Sequence, residues 1–101
     1  MTAKAEKIAE ELRNSLKERE DFEGLYLYGS QAKGTQHEDS DIDIAGVFIQ
    51  DVSYDREITL KVYAIDLKHD IVIDFQRVTK EQLIQNPVYF NEIKKGKYYG
   101  R

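Results

Sequence analysis

The chain has 101 residues, a formal net charge of −4, 41% hydrophobic and 34% charged residues, and no cysteine. This is the composition of an ordinary globular domain; it excludes a disulfide framework, thiolate zinc sites and a cysteine nucleophile. The acidic balance argues against a general nucleic-acid coat protein, but bound cations reverse local charge, so a metal-loaded nucleotide stays open as a ligand.

No run approaches the roughly 20 apolar residues that span a bilayer. The start, Met1-Thr2-Ala3-Lys4-Ala5-Glu6, lacks the apolar stretch of a signal peptide. The expectation is a cytoplasmic protein of one domain, residues 1–101, without repeats or linkers.

In chain order, Ala5, Ile8, Ala9, Leu12 and Leu16 recur at helical spacing and predict an amphipathic helix over residues 3–20. Glu23-Gly24 reads as a turn. Leu25 to Tyr28 then reads as a short strand that stops at Gly29-Ser30. Gln31-Ala32-Lys33 fits a short helix ended by Gly34, and residues 35–40 form a polar loop. Asp41 to Phe48 alternates and then turns apolar, the pattern of a central strand.

Residues 54–69 satisfy both periods; their length and charge favour a helix with Ile58, Val62 and Ile65 inward. Asp70 to Phe75 reads as a strand. Thr79-Lys80-Glu81-Gln82 has the form of a capping box. Pro87 suits the first turn of a last helix that runs to Lys95 and ends at Gly96. The expected fold is α/β (α+β), a small mixed sheet flanked by helices.

Three features carry chemistry. Gly29-Ser30, between a strand and a short helix, lets the backbone approach an anion and adds a hydroxyl donor. Alone, such a pair is usually an ordinary turn with a helix cap. Asp41 and Asp43 lie two apart on a strand and so share a face, while Ile42 and Ile44 enter the core. Two carboxylates so close repel unless a cation sits between them, and Mg²⁺ takes such oxygens together with phosphates. The bland alternative is a solvated strand end.

Asp74 shares a strand face with Val72, opposite Ile71, Ile73 and Phe75. A carboxylate in so apolar a strand needs a reason to be there: an ion pair with Arg77 or Lys33, or convergence with Asp41 and Asp43. In the second case two carboxylates could bridge two metals, and the third could also take the proton of an attacking hydroxyl.

The run from Tyr28-Gly29-Ser30 through Lys33-Gly34 to Asp41-Ile42-Asp43 resembles the signature of the DNA polymerase β-like nucleotidyltransferases. Ten residues, Gln31 to Ser40, separate Gly-Ser from Asp-x-Asp. That spacing is similar to the minimal members, the MntA-type antitoxins found beside HEPN toxins. The segment from Asn86-Pro87 to Tyr99 looks like their tail. Asp74 stands where the third carboxylate belongs, a residue many minimal relatives lack.

The resemblance implies a polymerase β palm-like fold. It implies that Gly29, Ser30 and Lys33 hold the triphosphate, and that Asp41, Asp43 and Asp74 form the catalytic and metal-binding set, with two Mg²⁺ ions and ATP. It also implies transfer of AMP to a tyrosine of a HEPN toxin, which neutralises that partner. No membrane or direct nucleic-acid partner is expected, and assembly as a homodimer or hetero-oligomer stays open. Two further readings are a binding module that inhibits its partner by covering it, and a transferase acting on a small-molecule hydroxyl such as an aminoglycoside.

Elsewhere, His37 and His69 read as surface residues, and Glu38 and Asp39 as solvated. Tyr26, Tyr63 and Tyr89 read as partly buried. Lys94, Lys95, Lys97 and Arg101 read as a solvated basic tail.

Overall fold

The computed structural model describes residues 3–29 and 41–101. Its elements are α1 (Ala3–Leu16), β1 (Phe22–Tyr28), β2 (Ile42–Phe48), α2 (Arg56–His69), β3 (Ile73–Thr79), α3 (Lys80–Gln85), α4 (Pro87–Ile93) and β4 (Lys97–Gly100). The strands form one mixed sheet in the order β3-β2-β1-β4, with β1 antiparallel to β2 and β4, and β2 parallel to β3. The expected class and the central position of the Asp-bearing strand are both found.

Alternation splits the sheet residues between two helical layers. Leu25, Leu27, Ile42, Ile44, Phe48, Ile73 and Tyr99 pack with the inward stripes of α1 and α2. Those stripes are the expected ones: Ala5, Ile8, Ala9, Leu12 and Leu16 on α1, and Ile58, Val62 and Ile65 on α2. The opposite face carries Tyr26, Tyr28, Ala45, Val47 and Val78, covered by Leu83 of α3 and by Tyr89, Phe90 and Ile93 of α4. Burying two faces of one small sheet supplies the apolar contact that a chain of this length needs.

Several boundaries differ from the sequence reading. α1 stops at Leu16 rather than near residue 20, because Arg19 leaves the helix to bind Asp21, Asp55 and Glu57 at 2.8–2.9 Å. Glu23-Gly24 is no turn; it lies inside β1 beside a register shift between Phe22 and Gly24 that returns Phe22 to the core opposite Phe48. Asp70 is the left-handed C-cap of α2, so β3 begins at Ile73 and continues to Thr79. The capping box is present, with Thr79 and Gln82 bonded reciprocally.

The last helix ends at Ile93. Lys94, Lys95, Lys97 and Arg101 are exposed as expected, but Lys97 to Gly100 is a strand paired with β1 and not a loose tail. Gly96 permits that return, since a Cβ there would collide with the Leu27 carbonyl. Tyr63, expected to be partly buried, is half exposed on the outer side of α2.

Candidate functional site

The sheet register builds the site. Tyr28 of β1 stands opposite Asp43 of β2, and Asp43 stands opposite Asp74 of β3. Residues in cross-strand register share a face, so these three side chains form a row at one end of the sheet. It is the face covered by α3 and α4. Asp41 immediately precedes β2 and is exposed, while Ile42 and Ile44 are buried as expected.

The proximity has an electrostatic consequence. Burial raises the Asp43 carboxyl above its usual range, and the neighbouring carboxylates of Asp74 and Asp41 push it further in the same direction. Asp74 does not pair with Arg77, because the two lie on opposite faces. The Arg77 guanidinium instead donates to the carbonyls of Val52 at 2.8 Å and Asp55 at 3.0 Å, and to Thr59.

Gly29 closes the row at the end of β1. Its φ is +76°, a conformation that glycine adopts without strain. A Cβ at this position would overlap the Asp43 carboxylate. The glycine therefore lets the Asp43 carboxylate pack directly against the β1 backbone. Ser30 and Lys33, expected to meet phosphate, lie outside the described residues, as do the short helix at 31–33, His37, Glu38 and Asp39.

Two tyrosines lining the site were given no role by sequence reasoning. Burial raises the Tyr28 hydroxyl well above its usual range, and its closeness to Tyr89, Asp43 and Asp74 adds to the shift. Tyr89 of α4 donates its hydroxyl to Gln76 Oε1 at 2.9 Å. The alternation Leu25-Tyr26-Leu27-Tyr28 does signal that Tyr28 leaves the main core. Nothing local signals Tyr89, which reaches the site only through the packing of α4 on β1. His69 has no place here; it contacts Glu11 of α1 at 2.8 Å.

As a donor set, the row offers the hard carboxylate oxygens of Asp43 and Asp74 beside the Tyr28 hydroxyl, with the two carboxylates held where they repel one another. That matches the ligand chemistry of a divalent cation such as Mg²⁺. Among the described residues, no three acidic or histidine side chains are gathered tightly around a single point. The described residues alone therefore do not form an all-protein metal cage.

The family model described as "Polymerase beta, Nucleotidyltransferase" matches residues 10–98, and the chain belongs to that family.

Solved structures share the fold. A toxin–antitoxin crystal structure with AMP-PNP is 23% identical, with a TM-score of 0.65 over 92% of this chain and 73% of that one. A mutant of the toxin–antitoxin MntA–HpeT is 24% identical, with a TM-score of 0.63 over 96% and 73%. A putative nucleotidyltransferase from Sulfolobus solfataricus is 19% identical, with a TM-score of 0.58 over 97% and 82%. Comparison with curated proteins finds no match. The resemblance drawn from residues 28–44 thus holds for family and fold, and its neighbours include the MntA type. Among the described residues, no helix is long and apolar enough to cross a membrane.

Proposed function

We propose that the chain, acting as one domain, is a metal-dependent nucleotidyltransferase that moves AMP from ATP to a tyrosine hydroxyl of a partner HEPN toxin, and so serves as an antitoxin in the cytoplasm. The observation that carries the reading is the register of Asp43 with Asp74 beside Gly29. The toxin partner and the adenine nucleotide are supported by the toxin–antitoxin and AMP-PNP neighbours.

In this reading Asp41, Asp43 and Asp74 hold Mg²⁺, two ions in all. Gly29, Ser30 and Lys33 receive the triphosphate. Bound metal supplies positive charge that draws the phosphate oxygens to the carboxylates and stabilises charge on the leaving group. Asp74, the outermost carboxylate of the row, accepts the proton of the acceptor hydroxyl. That oxygen forms a bond to the α-phosphorus, the bond from the α-phosphorus to the bridging oxygen breaks, and pyrophosphate leaves. Tyr28 keeps its proton at neutral pH, because burial and the nearby carboxylates oppose its ionisation. It therefore adds no negative charge to the site.

The test is incubation with α-labelled ATP, Mg²⁺ and a candidate HEPN toxin. Label is expected on a toxin tyrosine with the wild type and not with Asp41→Asn. If no label is transferred and both forms neutralise the toxin equally, the catalytic reading fails.

One observation favours a second reading, inhibition by covering the partner. The outer side of α2 exposes Leu60, Tyr63 and Leu67 at helical spacing, an apolar stripe suited to a protein surface. A stable complex with an unmodified, inhibited toxin would establish it.

A further inference from the structure

β3 is an edge strand of the sheet. The Ile42 N–H donates to the Val72 carbonyl at 3.0 Å, which fixes the direction of the alternating backbone groups. Those of Asp74, Gln76 and Val78 face β2, and those of Ile73, Phe75, Arg77 and Thr79 face outward. The outward row is closed at both ends by side chains. The Ile73 N–H donates to Asp66 Oδ1 at 3.1 Å, and the Thr79 N–H donates to Gln82 Oε1 at 2.9 Å. Between these closures, Phe75 and Arg77 have no outer backbone partner among the described residues.

Open grooves flank this stretch on both faces of the sheet. One, of about 470 Å³, runs between Gln76 and Val78 of β3 and Gln85 of α3, Asn86 and Tyr89 of α4. The other, of about 230 Å³, lies between Phe75 of β3 and Thr59, Val62 and Tyr63 of α2. A strand edge left unpaired by the described residues, with a groove on each side, is what an added strand requires, since its side chains alternate between the two faces.

We propose that this edge receives an extended segment of the acceptor protein as a fifth, antiparallel strand, which sets the acceptor hydroxyl opposite Asp74. The inference rests on the transferase reading and specifies how the acceptor is held. Asp74 turns its own backbone groups toward β2, so it forms a non-hydrogen-bonded pair with the added strand, the closer of the two antiparallel spacings. The side chain opposite it extends the row Tyr28–Asp43–Asp74 by one position. Its β-carbon stands about 5 Å from that of Asp74, within reach of the carboxylate.

A polypeptide fits better than a nucleic acid. The outward donors and acceptors match main chain. The Arg77 guanidinium, the cation on this stretch of β3, is spent on protein carbonyls and not left to meet phosphate.

The test uses the full chain and a display library of short peptides with a fixed central tyrosine, from which the tightest binder serves as the probe. Hydrogen exchange is followed residue by residue by NMR. On binding, the Phe75 and Arg77 amides are expected to slow by roughly ten-fold or more, while those of Asp74 and Gln76, already bonded to β2, change little. Methylating alternate backbone nitrogens of the probe should abolish binding in one phase of the alternation and spare it in the other. Failure to select any binder, or a binder that leaves the Phe75 and Arg77 amides unprotected, overturns the proposal.

Adding labelled ATP and Mg²⁺ separates the two levels. Edge protection without label leaves the docking mode standing and sinks the transferase reading. Label without edge protection does the reverse.

Discussion

At the scale of single residues, the site keeps charges together that would be better apart for folding. Asp43 sits between Asp74 and Asp41 and is half buried, and each of these conditions disfavours its carboxylate. Asp43→Asn removes the charge with little change in shape. In a chelator-containing buffer it is expected to stabilise the fold by on the order of 1 kcal/mol, the usual gain when a functional strain is relieved. The same variant should lose nucleotidyl transfer. Mg²⁺ with ATP should raise the melting temperature of the wild type by mass action but leave the variant almost unmoved. Thermal melts with and without Mg²⁺–ATP, alongside label transfer, check all three. Gly29→Ala makes the opposite trade: its φ of +76° and the overlap with the Asp43 carboxylate predict a loss of about 1–2 kcal/mol. Denaturant unfolding of this variant measures it.

At the scale of elements, local chemistry sets where the layers begin and end. Thr79 closes β3 and opens α3 through its capping box, so Thr79→Ala should cost about 1 kcal/mol in denaturant unfolding. That boundary was legible in the sequence because both partners lie within four residues. The inward stripes of α1 and α2 were legible for the same reason, as a helix repeats its buried face every three or four positions. β4 was not. Lys97-Tyr98-Tyr99-Gly100 has neither length nor a clean apolar face, and it becomes a strand only by pairing with Leu25 and Tyr26, more than 70 residues earlier. The β1 irregularity was hidden likewise: Glu23-Gly24 has turn composition, and only the demand that Phe22 meet Phe48 keeps it in the sheet. In the site, period two set Asp43 apart from the buried Ile42 and Ile44, while Asp41 falls just outside the strand; Asp74 stood out as a carboxylate in an apolar strand. The meeting of Asp43 with Asp74 depended on β3 lying parallel beside β2, a topological fact that no local pattern encodes.

At the scale of the whole molecule, two groups of carboxylates give stability opposite dependences on pH. Hydrogen bonds from Arg19 lower the Asp21 and Asp55 carboxyls, and hydrogen bonds from Lys68 and His69 lower that of Glu11. A carboxyl lowered in the folded state stabilises the fold above its unfolded pKa of about 4, and the contribution is lost as pH falls through the folded value. These contacts tie α1 and the start of β1 to α2, so their loss loosens one helical layer as a unit. Asp43 and Asp66 act the other way, since burial raises both. A raised carboxyl costs stability at neutral pH, and the cost is relieved as pH falls from above the folded value to below the unfolded one. The sum predicts a stability maximum on the mildly acid side of neutrality in the absence of metal, then a steep fall below about pH 4. Melting temperatures measured from pH 8 to pH 3 test the shape, and two variants assign its limbs. Asp43→Asn should flatten the neutral limb, because one of its two sources is gone. Arg19→Ala should lower stability at pH 7 by about 2 kcal/mol through lost charged hydrogen bonds. It should also make the acid limb shallower, since Asp21 and Asp55 no longer lose a partner on protonation. An acid limb unchanged by Arg19→Ala would show that the cluster does not control acid unfolding.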